Sequence, residues 1–293
     1  MPTEPNELGD THGMAERVRR PRSGTSAKAL LLTILGEFVL PNGGSAWTST
    51  LIDALALLDV TEPNARQATA RLSDDGILTA VRHGRATRWE LTPRGERLLT
   101  SGAERIYGFG SSADAWDGQW LLVLASIPEE QRAKRLQFRS QLAFAGFGLM
   151  SAGVAISPHA ERRKDAEAIV TALELDPQAL VFVATAGSLV PNTEIIQRAW
   201  DLDVLSDKYG AFIDEFARLK PSAGAACFAS LVRLVHEWRR FPFEDPEIPL
   251  ELLPARWRGQ RAKSIFDARR TAWSGPSQSW FRAVDAGETT PSD

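Results

Sequence analysis

Residues 61–95 read TEPNARQATARLSDDGILTAVRHGRATRWELTPRG, and this stretch decides the fold. Thr61 is a good N-cap residue, Pro63 is tolerated in the first turn of a helix, and Gly76 is typical of a helix end. The small and apolar residues that recur between them at helical spacing are Ala65, Ala68 and Leu72. This pattern predicts one helix over residues 61–74 with a narrow buried face.

The other face of the predicted helix is rich in hydrogen-bond donors. It carries Asn64, Arg66, Gln67, Ala70 and Arg71. Recognition helices present such side chains to base edges and phosphates in the major groove of DNA. Two alternatives stay open, because a solvated helix face carries similar residues and because Arg71 could instead pair with Asp74 or Asp75.

Two short strands follow, over residues 77–82 and 87–91, joined by His83, Gly84 and Arg85. Arg82, Arg85 and Arg88 lie in a stretch without acidic residues. A hairpin of this kind suits a wing that lies against phosphates or enters the minor groove, and His83 belongs to the same candidate surface. The alternative is a cationic hairpin that contacts nothing.

The flanking sequence predicts three further helices. One begins at Ser26 and reaches about Phe38, one covers about residues 48–57, and one begins near Thr92. The resulting order of three helices, a hairpin and a helix is that of a winged helix-turn-helix. We assign it to residues 26–107 as a DNA-binding domain.

The rest of the chain divides into three further segments. Residues 116–190 follow a βαββαβ pattern, which indicates a small ferredoxin-like domain. Residues 191–283 are helical, with a final helix over about 259–273 and frayed residues from about Val284. Residues 1–25 are polar and indicate a disordered basic arm. The predicted fold class is therefore α+β, with two domains behind the winged helix.

Composition limits the function classes. The chain has 293 residues, of which 43% are hydrophobic and 24% are charged, as in ordinary globular proteins. Its net charge of -3 neither supports nor excludes DNA binding. Cys227 is the one cysteine, which excludes a disulfide framework and suits the cytoplasm. No apolar run approaches the roughly 20 residues that span a bilayer. We expect no membrane partner, no cofactor and no metal site.

Taken together, the motifs resemble the PaaX-type repressors of phenylacetic acid catabolism, over residues 27–272. In the first domain the matching residues are Gly36, Leu40, Pro41, Gly43, Gly44, Arg66, Ala68, Arg71, Leu72, Gly76, Leu78, Leu91, Thr92, Pro93, Gly95 and Tyr107. In the middle they are Trp116, Asp117, Gly118, Gln119, Trp120, Gly146, Phe147 and Gly148. In the C-terminal part they are His236, Glu237, Trp238, Arg239, Arg240, Asp245, Pro246, Pro249, Leu252, Leu253, Pro254 and Trp257.

This resemblance implies a repressor that binds double-stranded operator DNA as a homodimer and is released by an acyl-CoA, typically phenylacetyl-CoA. A CoA thioester presents phosphates and a nonpolar acyl group, so its site should combine arginines with aromatic walls. The candidate effector residues are Trp238, Arg239, Arg240, Trp257 and Arg258. The alternative is that both tryptophans are core or interface residues and the arginines are surface charges.

Two other classes of function stay open. One is an enzyme acting on a CoA thioester with His236 as a base, and the other is a DNA-binding scaffold without an effector. The middle of the chain resembles the Cas2 nucleases, but its first strand ends in Ser126, Ile127 and Pro128, where that family has a metal-binding aspartate. A metal pair of His236 with Glu237 is unfavourable, because adjacent residues on a helix point apart. We therefore expect that the protein is not an enzyme.

Overall fold

The computed structural model describes residues 26–110 and 115–287. The predicted arm, residues 1–25, lies outside the described residues. The chain mixes helices and sheets, and the predicted α+β class, with a ferredoxin-like middle and a helical C-terminal part, is confirmed.

The first part consists of helices and a hairpin in the predicted order. Its elements are α1 (Ala27–Ile34), β1 (Ser45–Trp47), α2 (Thr48–Ala56), α3 (Glu62–Asp74), β2 (Leu78–His83), β3 (Ala86–Leu91) and α4 (Pro93–Gly108). The N–H of Ala29 donates to the Ser26 side chain, so Ser26 is the predicted N-cap. After α1 the chain continues in a π-helical turn, Leu35–Val39. The three strands form an antiparallel sheet in the order β1-β3-β2.

The second part is a four-stranded antiparallel sheet covered by two helices. Its elements are β4 (Gln119–Ala125), α5 (Arg132–Phe144), β5 (Gly148–Ser151), β6 (Val154–Ser157), α6 (Arg163–Ala172) and β7 (Ala179–Thr185). The strand order β5-β6-β4-β7 is that of the ferredoxin-like fold. Leu121 and Val123 of β4 pack with Phe138 and Leu142 of α5 in a core of their own.

The third part is helical, as expected from its apolar spacing. It comprises α7 (Asn192–Ala199), α8 (Leu202–Phe216), α9 (Gly224–Trp238), the short α10 (Phe241–Glu244) and α11 (Gly259–Asp285). Helix α11 runs to Asp285 through Pro276, well beyond the predicted end near residue 273. The predicted fraying from Val284 is wrong within the described residues, because this half of α11 packs on the first part and Phe281 is fully buried. Tertiary packing here outweighs the helix-breaking tendency of proline.

One hydrophobic core joins the first and third parts. Phe38, at the end of the first helical segment, lies 4.5 Å from Phe228 of α9 and 5.4 Å from Phe281 of α11, measured between ring centroids. Trp238 of α9 stacks on Phe266 of α11 at 4.6 Å. We predicted residues 26–107 and 191–283 as separate domains, yet their helices complete the same core.

Candidate nucleic-acid interface

Helix α3 has the buried and exposed faces that its sequence predicts. Ala65, Ala68 and Leu72 are buried, so this side of the helix rests on the core. The four residues predicted to read DNA are all exposed, and they are Asn64, Arg66, Gln67 and Arg71. Their spacing puts Asn64, Gln67 and Arg71 along one stripe with Arg66 beside it. The structure thus brings these donors together on one accessible surface.

Two ion pairs near α3 decide how free its arginines are. Arg66 lies 2.7 Å from Glu62, one turn earlier, and both side chains are more than half exposed. A surface pair of this kind contributes at most about 1 kcal/mol, so DNA phosphates can compete with it. Arg71 pairs with neither neighbouring aspartate among the described residues, and Asp75 binds Lys28 instead. The alternative in which Arg71 pairs with Asp74 or Asp75 therefore finds no support.

The hairpin has the register expected of a wing. Arg82 pairs with Thr87 and His83 with Ala86, which leaves Gly84 and Arg85 as a two-residue turn. Gly84 has a φ of 60°, a conformation that glycine adopts without strain. Arg82, His83 and Arg85 are exposed at the tip. The predicted basic edge therefore points into solvent on the same domain as α3.

Arg88 is placed differently from the other wing residues. Its guanidinium donates from Nε to Ser45 Oγ at 2.9 Å, and its Nη2 lies 2.9 Å from Asp285 Oδ2 at the end of α11. The cation also sits 5.0 Å from the Trp47 ring. Its side chain is 24% exposed. The structure thus turns Arg88 toward the body of the protein, and in this position it anchors the hairpin.

Asp285 is a site residue that the sequence did not reveal. Its Oδ1 accepts hydrogen bonds from the Trp47 N–H at 3.0 Å and from Thr50 Oγ1 at 2.9 Å, while Oδ2 binds Arg88. One carboxylate therefore joins α11, the start of α2 and strand β3. No sequence signal pointed to it, because it lies in a segment that we predicted to be frayed.

The five predicted effector residues do not form one pocket. Trp238 is 1% exposed, stacks on Phe266 and donates from Nε1 to Ile106 O at 3.2 Å. Trp257 lines a small cavity of about 120 Å³ beside Trp238, but none of the three predicted arginines lines it. The burial of Trp238 supports the alternative in which this tryptophan belongs to the core.

Two of the three predicted effector arginines, Arg240 and Arg258, have partners of their own. Arg240 pairs with Glu237 and Glu244, and Arg258 pairs with Asp207 and donates to Ser206 O. Burial lowers the pKa of Arg239, which lies beside Arg240. These contacts make Arg240 and Arg258 local structural residues in this arrangement.

His236 is a buried, neutral histidine. Its Nδ1 lies 3.5 Å from Thr33 Oγ1 of α1, across the core shared by the first and third parts. Burial lowers the pKa of His236 to about 4, and the nearby Arg239 and Arg240 act in the same direction. The ring therefore carries no charge near neutral pH.

A larger cleft lies where the three parts meet, and we call it the three-part cleft. Its volume is about 600 Å³, and its lining comes from the end of α4, the α5–β5 turn and residues 242–247. Aromatic side chains on its wall include Phe144, Phe243 and Trp200. Arg105 lies 4.0 Å from the Phe243 ring and donates to Pro242 O. Sequence reasoning missed this cleft because its walls are far apart in the chain.

Charged groups in the three-part cleft are mostly acidic. Arg162 donates to Ala145 O and lies 3.6 Å from Glu247, while Glu104 and Asp165 also line the wall. Asp245 is also on the wall, and its Oδ2 accepts a hydrogen bond from the Tyr209 hydroxyl at 2.6 Å. Burial raises the pKa of the Asp245 carboxyl. The cleft therefore suits an aromatic group better than a cluster of phosphates.

An exposed, donor-rich helix beside a basic hairpin, both held on a helical core, defines a winged helix-turn-helix transcription regulator. Three family models match the chain in succession. They are PaaX-like protein over residues 26–95, the PaaX protein central Cas2-like domain over residues 113–196, and the PaaX-like protein C-terminal domain over residues 200–283. This chain belongs to the PaaX family.

Two known proteins are similar over most of the chain. The transcriptional repressor PaaX of Escherichia coli K12 is 28% identical over 256 residues, which cover 84% of this chain and 78% of the relative. A solved structure, the uncharacterized protein Rv0674 from Mycobacterium tuberculosis, has a TM-score of 0.61 at 20% identity. That likeness covers 88% of this chain and 99% of the other, and it shows the fold alone.

Residues 26–110 and 115–287 contain neither a membrane-spanning helix nor a group of side chains that could hold a metal ion. None of these helices is long and apolar enough to cross a membrane. Nor do His, Cys, Asp or Glu side chains gather there in threes around a possible metal position.

Proposed function

We propose that this protein represses a catabolic operon, for phenylacetate or a related aromatic acid, by binding operator DNA in the bacterial cytoplasm. The observation that carries the proposal is the joint exposure of α3 and the wing tip on one domain. Asn64, Arg66, Gln67 and Arg71 would read base edges, while Arg82, His83 and Arg85 would contact phosphates. Similarity to a transcriptional repressor supports the same function.

In this proposal the repressor binds as a homodimer, and an aryl-acyl-CoA such as phenylacetyl-CoA releases it. The family resemblance supports both points. A two-fold dimer would place two recognition helices on the two halves of an operator. The effector would release DNA by binding more tightly to a conformation that does not fit the operator.

The three-part cleft is our candidate site for the aryl-acyl end of the effector. Its volume of about 600 Å³ lies within the usual range for small-molecule sites. Phe144 and Phe243 are exposed there and offer faces for an aromatic ring. Because carboxylates line the wall, the phosphates of CoA would remain outside. A ligand there would contact α4, the helix that follows the wing.

A mobility-shift titration tests the repressor function. The protein should bind its own promoter region more tightly than random DNA of equal length, and phenylacetyl-CoA should weaken that binding. Binding to the promoter that is no tighter than to random DNA would contradict the proposal.

A thermal-shift titration tests the effector site. A ligand at about 100 times its Kd should add roughly 2.7 kcal/mol of stability. We expect a shift with phenylacetyl-CoA that Phe243→Ala reduces, whereas Leu189→Ala, at an exposed residue outside the cleft, should keep it. CoA alone and phenylacetate alone identify which half binds. A flat response to all three compounds would favour the scaffold without an effector.

The enzyme alternative requires His236 to act as a base on a thioester. The geometry disfavours it, because His236 is buried against Thr33 between two helical segments and lines neither of the two cavities described above. Thioester hydrolysis above background that disappears in His236→Ala would revive it.

A further inference from the structure

Helix α4 joins the DNA-reading domain to the three-part cleft. It begins at Pro93, directly after the wing, and ends at Gly108, which lines the cleft. Its 16 residues span about 24 Å at the usual rise of an α-helix. Rigid helices are among the elements that carry coupling between distant sites. What each end of α4 contacts therefore decides whether this helix can connect the cleft to the DNA-reading surface.

The C-terminal end of α4 is fixed to the wall of the cleft by Arg105. Its guanidinium lies 4.0 Å from the centroid of the Phe243 ring, and its Nη2 donates to Pro242 O at 2.9 Å. Phe243 is 51% exposed and is one of the two residues that offer a face to the aryl group of the effector. A ligand that moves α10 must therefore either carry Arg105 with it or break both contacts.

Another side of the same helical turn rests on the shared core. Trp238 Nε1 donates to Ile106 O at 3.2 Å, and the Arg270 guanidinium lies 3.9 Å from the Tyr107 ring. Neither Ile106 nor Tyr107 lines the cleft. Because α9 and α11 hold this side, a movement of α10 would tilt α4 about these contacts instead of displacing the whole helix.

The N-terminal end of α4 packs against the exit of the recognition helix. Its N-cap residue, Thr92, donates from Oγ1 to Gly76 O at 2.6 Å and from its N–H to Ile77 O at 3.0 Å. A Cβ on Gly95 would lie 2.4 Å from Ile77 O, so the absence of a side chain permits this close approach. Since Gly76 and Ile77 connect α3 to β2, a tilt of α4 would displace the recognition helix and the base of the wing.

We propose that α4 transmits the binding of a ligand in the three-part cleft to the recognition helix, with Arg105 as the positioning residue at the cleft end and Gly95 as the contact at the DNA end. This proposal rests on the proposed function, because it requires both an operator and an effector. A ligand that fills the cleft moves α10, Arg105 follows, and α4 shifts against Ile77 O. The recognition helix and the wing then no longer fit the operator together.

Gly95→Ala tests the DNA end. The added methyl group should push α4 away from Ile77 and reproduce the shift without a ligand. Operator affinity, measured by anisotropy, should fall. Phenylacetyl-CoA, measured by calorimetry, should bind more tightly than to the wild type, because the variant already favours the conformation that the ligand selects.

The gain in ligand affinity is the decisive readout, since a merely structural defect would not strengthen phenylacetyl-CoA binding. Gly102→Ala is the matched control on the same helix, because no described atom lies within 4 Å of a Cβ at that position. It should match the wild type in both titrations. Phenylacetyl-CoA affinity in Gly95→Ala at or below the wild-type value would overturn the proposal.

Arg105→Ala tests the cleft end through the factor by which saturating phenylacetyl-CoA weakens operator binding. Couplings between two sites of one protein are typically about 5- to 150-fold, and Arg105→Ala should bring this factor close to one. Arg198→Ala should keep the wild-type factor, because Arg198 is an exposed arginine that pairs with Glu194 on α7 and does not line the cleft. An unchanged factor in Arg105→Ala, or a loss of phenylacetyl-CoA binding there, would contradict the role of Arg105.

The wild type separates this proposal from the proposed function. If the wild type prefers its promoter and phenylacetyl-CoA weakens that binding, an overturning result in either variant means that only the role of α4 is wrong. If the wild type does not prefer its promoter, the proposed repressor function fails. If phenylacetyl-CoA leaves promoter binding unchanged, the proposed effector is wrong, and the role of α4 falls with it.

Discussion

At the scale of single residues, exposure divides the predicted DNA-contacting arginines into two groups. Arg66 and Arg85 are exposed, whereas Arg88 turns inward to Asp285. The helical and strand periods of residues 61–91 were enough to predict which side chains are exposed on α3 and at the wing tip. They could not predict the inward turn of Arg88, because its partner lies almost 200 positions away.

Arg66→Ala and Arg85→Ala should therefore have different effects. Loss of Arg66, on the recognition helix, should reduce preference for the operator, since a bidentate base contact contributes roughly 1 to 3 kcal/mol of discrimination. Loss of Arg85, at the wing tip, should weaken binding to all sequences and reduce the salt slope by about one. Anisotropy titrations with operator and random DNA at several salt concentrations measure both effects. If Arg66→Ala instead weakens binding to all sequences and Arg85→Ala reduces the preference for the operator, the helix and the wing have the opposite roles.

His236 should make stability depend on pH. Its pKa of about 4 in the folded protein lies below the ordinary value of 6.5, so between these values the unfolded chain binds a proton that the folded chain does not. This contribution is fully present above pH 6.5 and is lost as the pH falls toward 4, with a limit of about 3 kcal/mol. Urea unfolding of wild type and His236→Phe should diverge over this window.

The difference between the pH profiles of wild type and His236→Phe separates the effect of His236 from that of the other titrating groups. Burial raises the pKa of Glu37 and Asp245, so these carboxyls contribute stability that is lost as the pH rises, which is the opposite sign. Both groups are present in each protein, and their effect cancels in the difference. Parallel pH profiles for wild type and variant would show that His236 is not the cause.

At the scale of elements, α11 differs most from its prediction. Sequence patterns predicted its start at residue 259 and its end near residue 273, some ten residues before the helix ends. The extension depends on Phe281, Gln278 and Asp285, whose partners lie in the first part of the chain. Local sequence carries no information about such distant partners, so the prediction failed where tertiary contacts decide the structure.

The end of α11 should therefore influence DNA binding. Asp285→Ala removes the acceptor shared by Trp47, Thr50 and Arg88, and breaking these charge-assisted bonds should cost about 1 to 3 kcal/mol of stability. The hairpin should also lose its fixed position relative to α2, so operator affinity should fall although no residue at the exposed surface has changed. Asp267→Ala, on the same helix but paired only with Lys263, is the control. Equal operator affinity in the two variants would argue against this role.

At the scale of the whole molecule, the first and third parts form one packed unit. The central sheet has a core of its own on one face, while Trp120 and Ile156 on the other face pack with Ile196 of α7. The family motifs could identify three successive segments, and they did so from particular pairs such as Trp116 and Trp120. They could not show that Phe38 packs on both α9 and α11. The three-part cleft escaped prediction for the same reason.

A fragment of residues 26–110 should consequently fold poorly alone. Removing α9 and α11 would expose Phe38, Leu35 and Ile34, which are fully buried in the whole chain. Loss of a large buried partner such as Phe281 alone typically costs about 3 to 5 kcal/mol. Amide spectra of the fragment should show poor dispersion, whereas the full chain should give well-dispersed signals. A well-folded fragment would show that the shared core is dispensable.

The shared core also restricts how hybrid repressors can be built from relatives of this family. A chimera that takes its DNA-reading segment from one parent and its C-terminal helices from another would join two halves of a single core that never matched in shape. Exchange of residues 115–190 instead leaves that core whole, but it divides a smaller cluster in which Trp120 and Ile156 of the sheet pack on α7, α8 and residues 248–252. Exchange of operator specificity should therefore disturb the packing less when both ends of the chain are transplanted together than when they are separated.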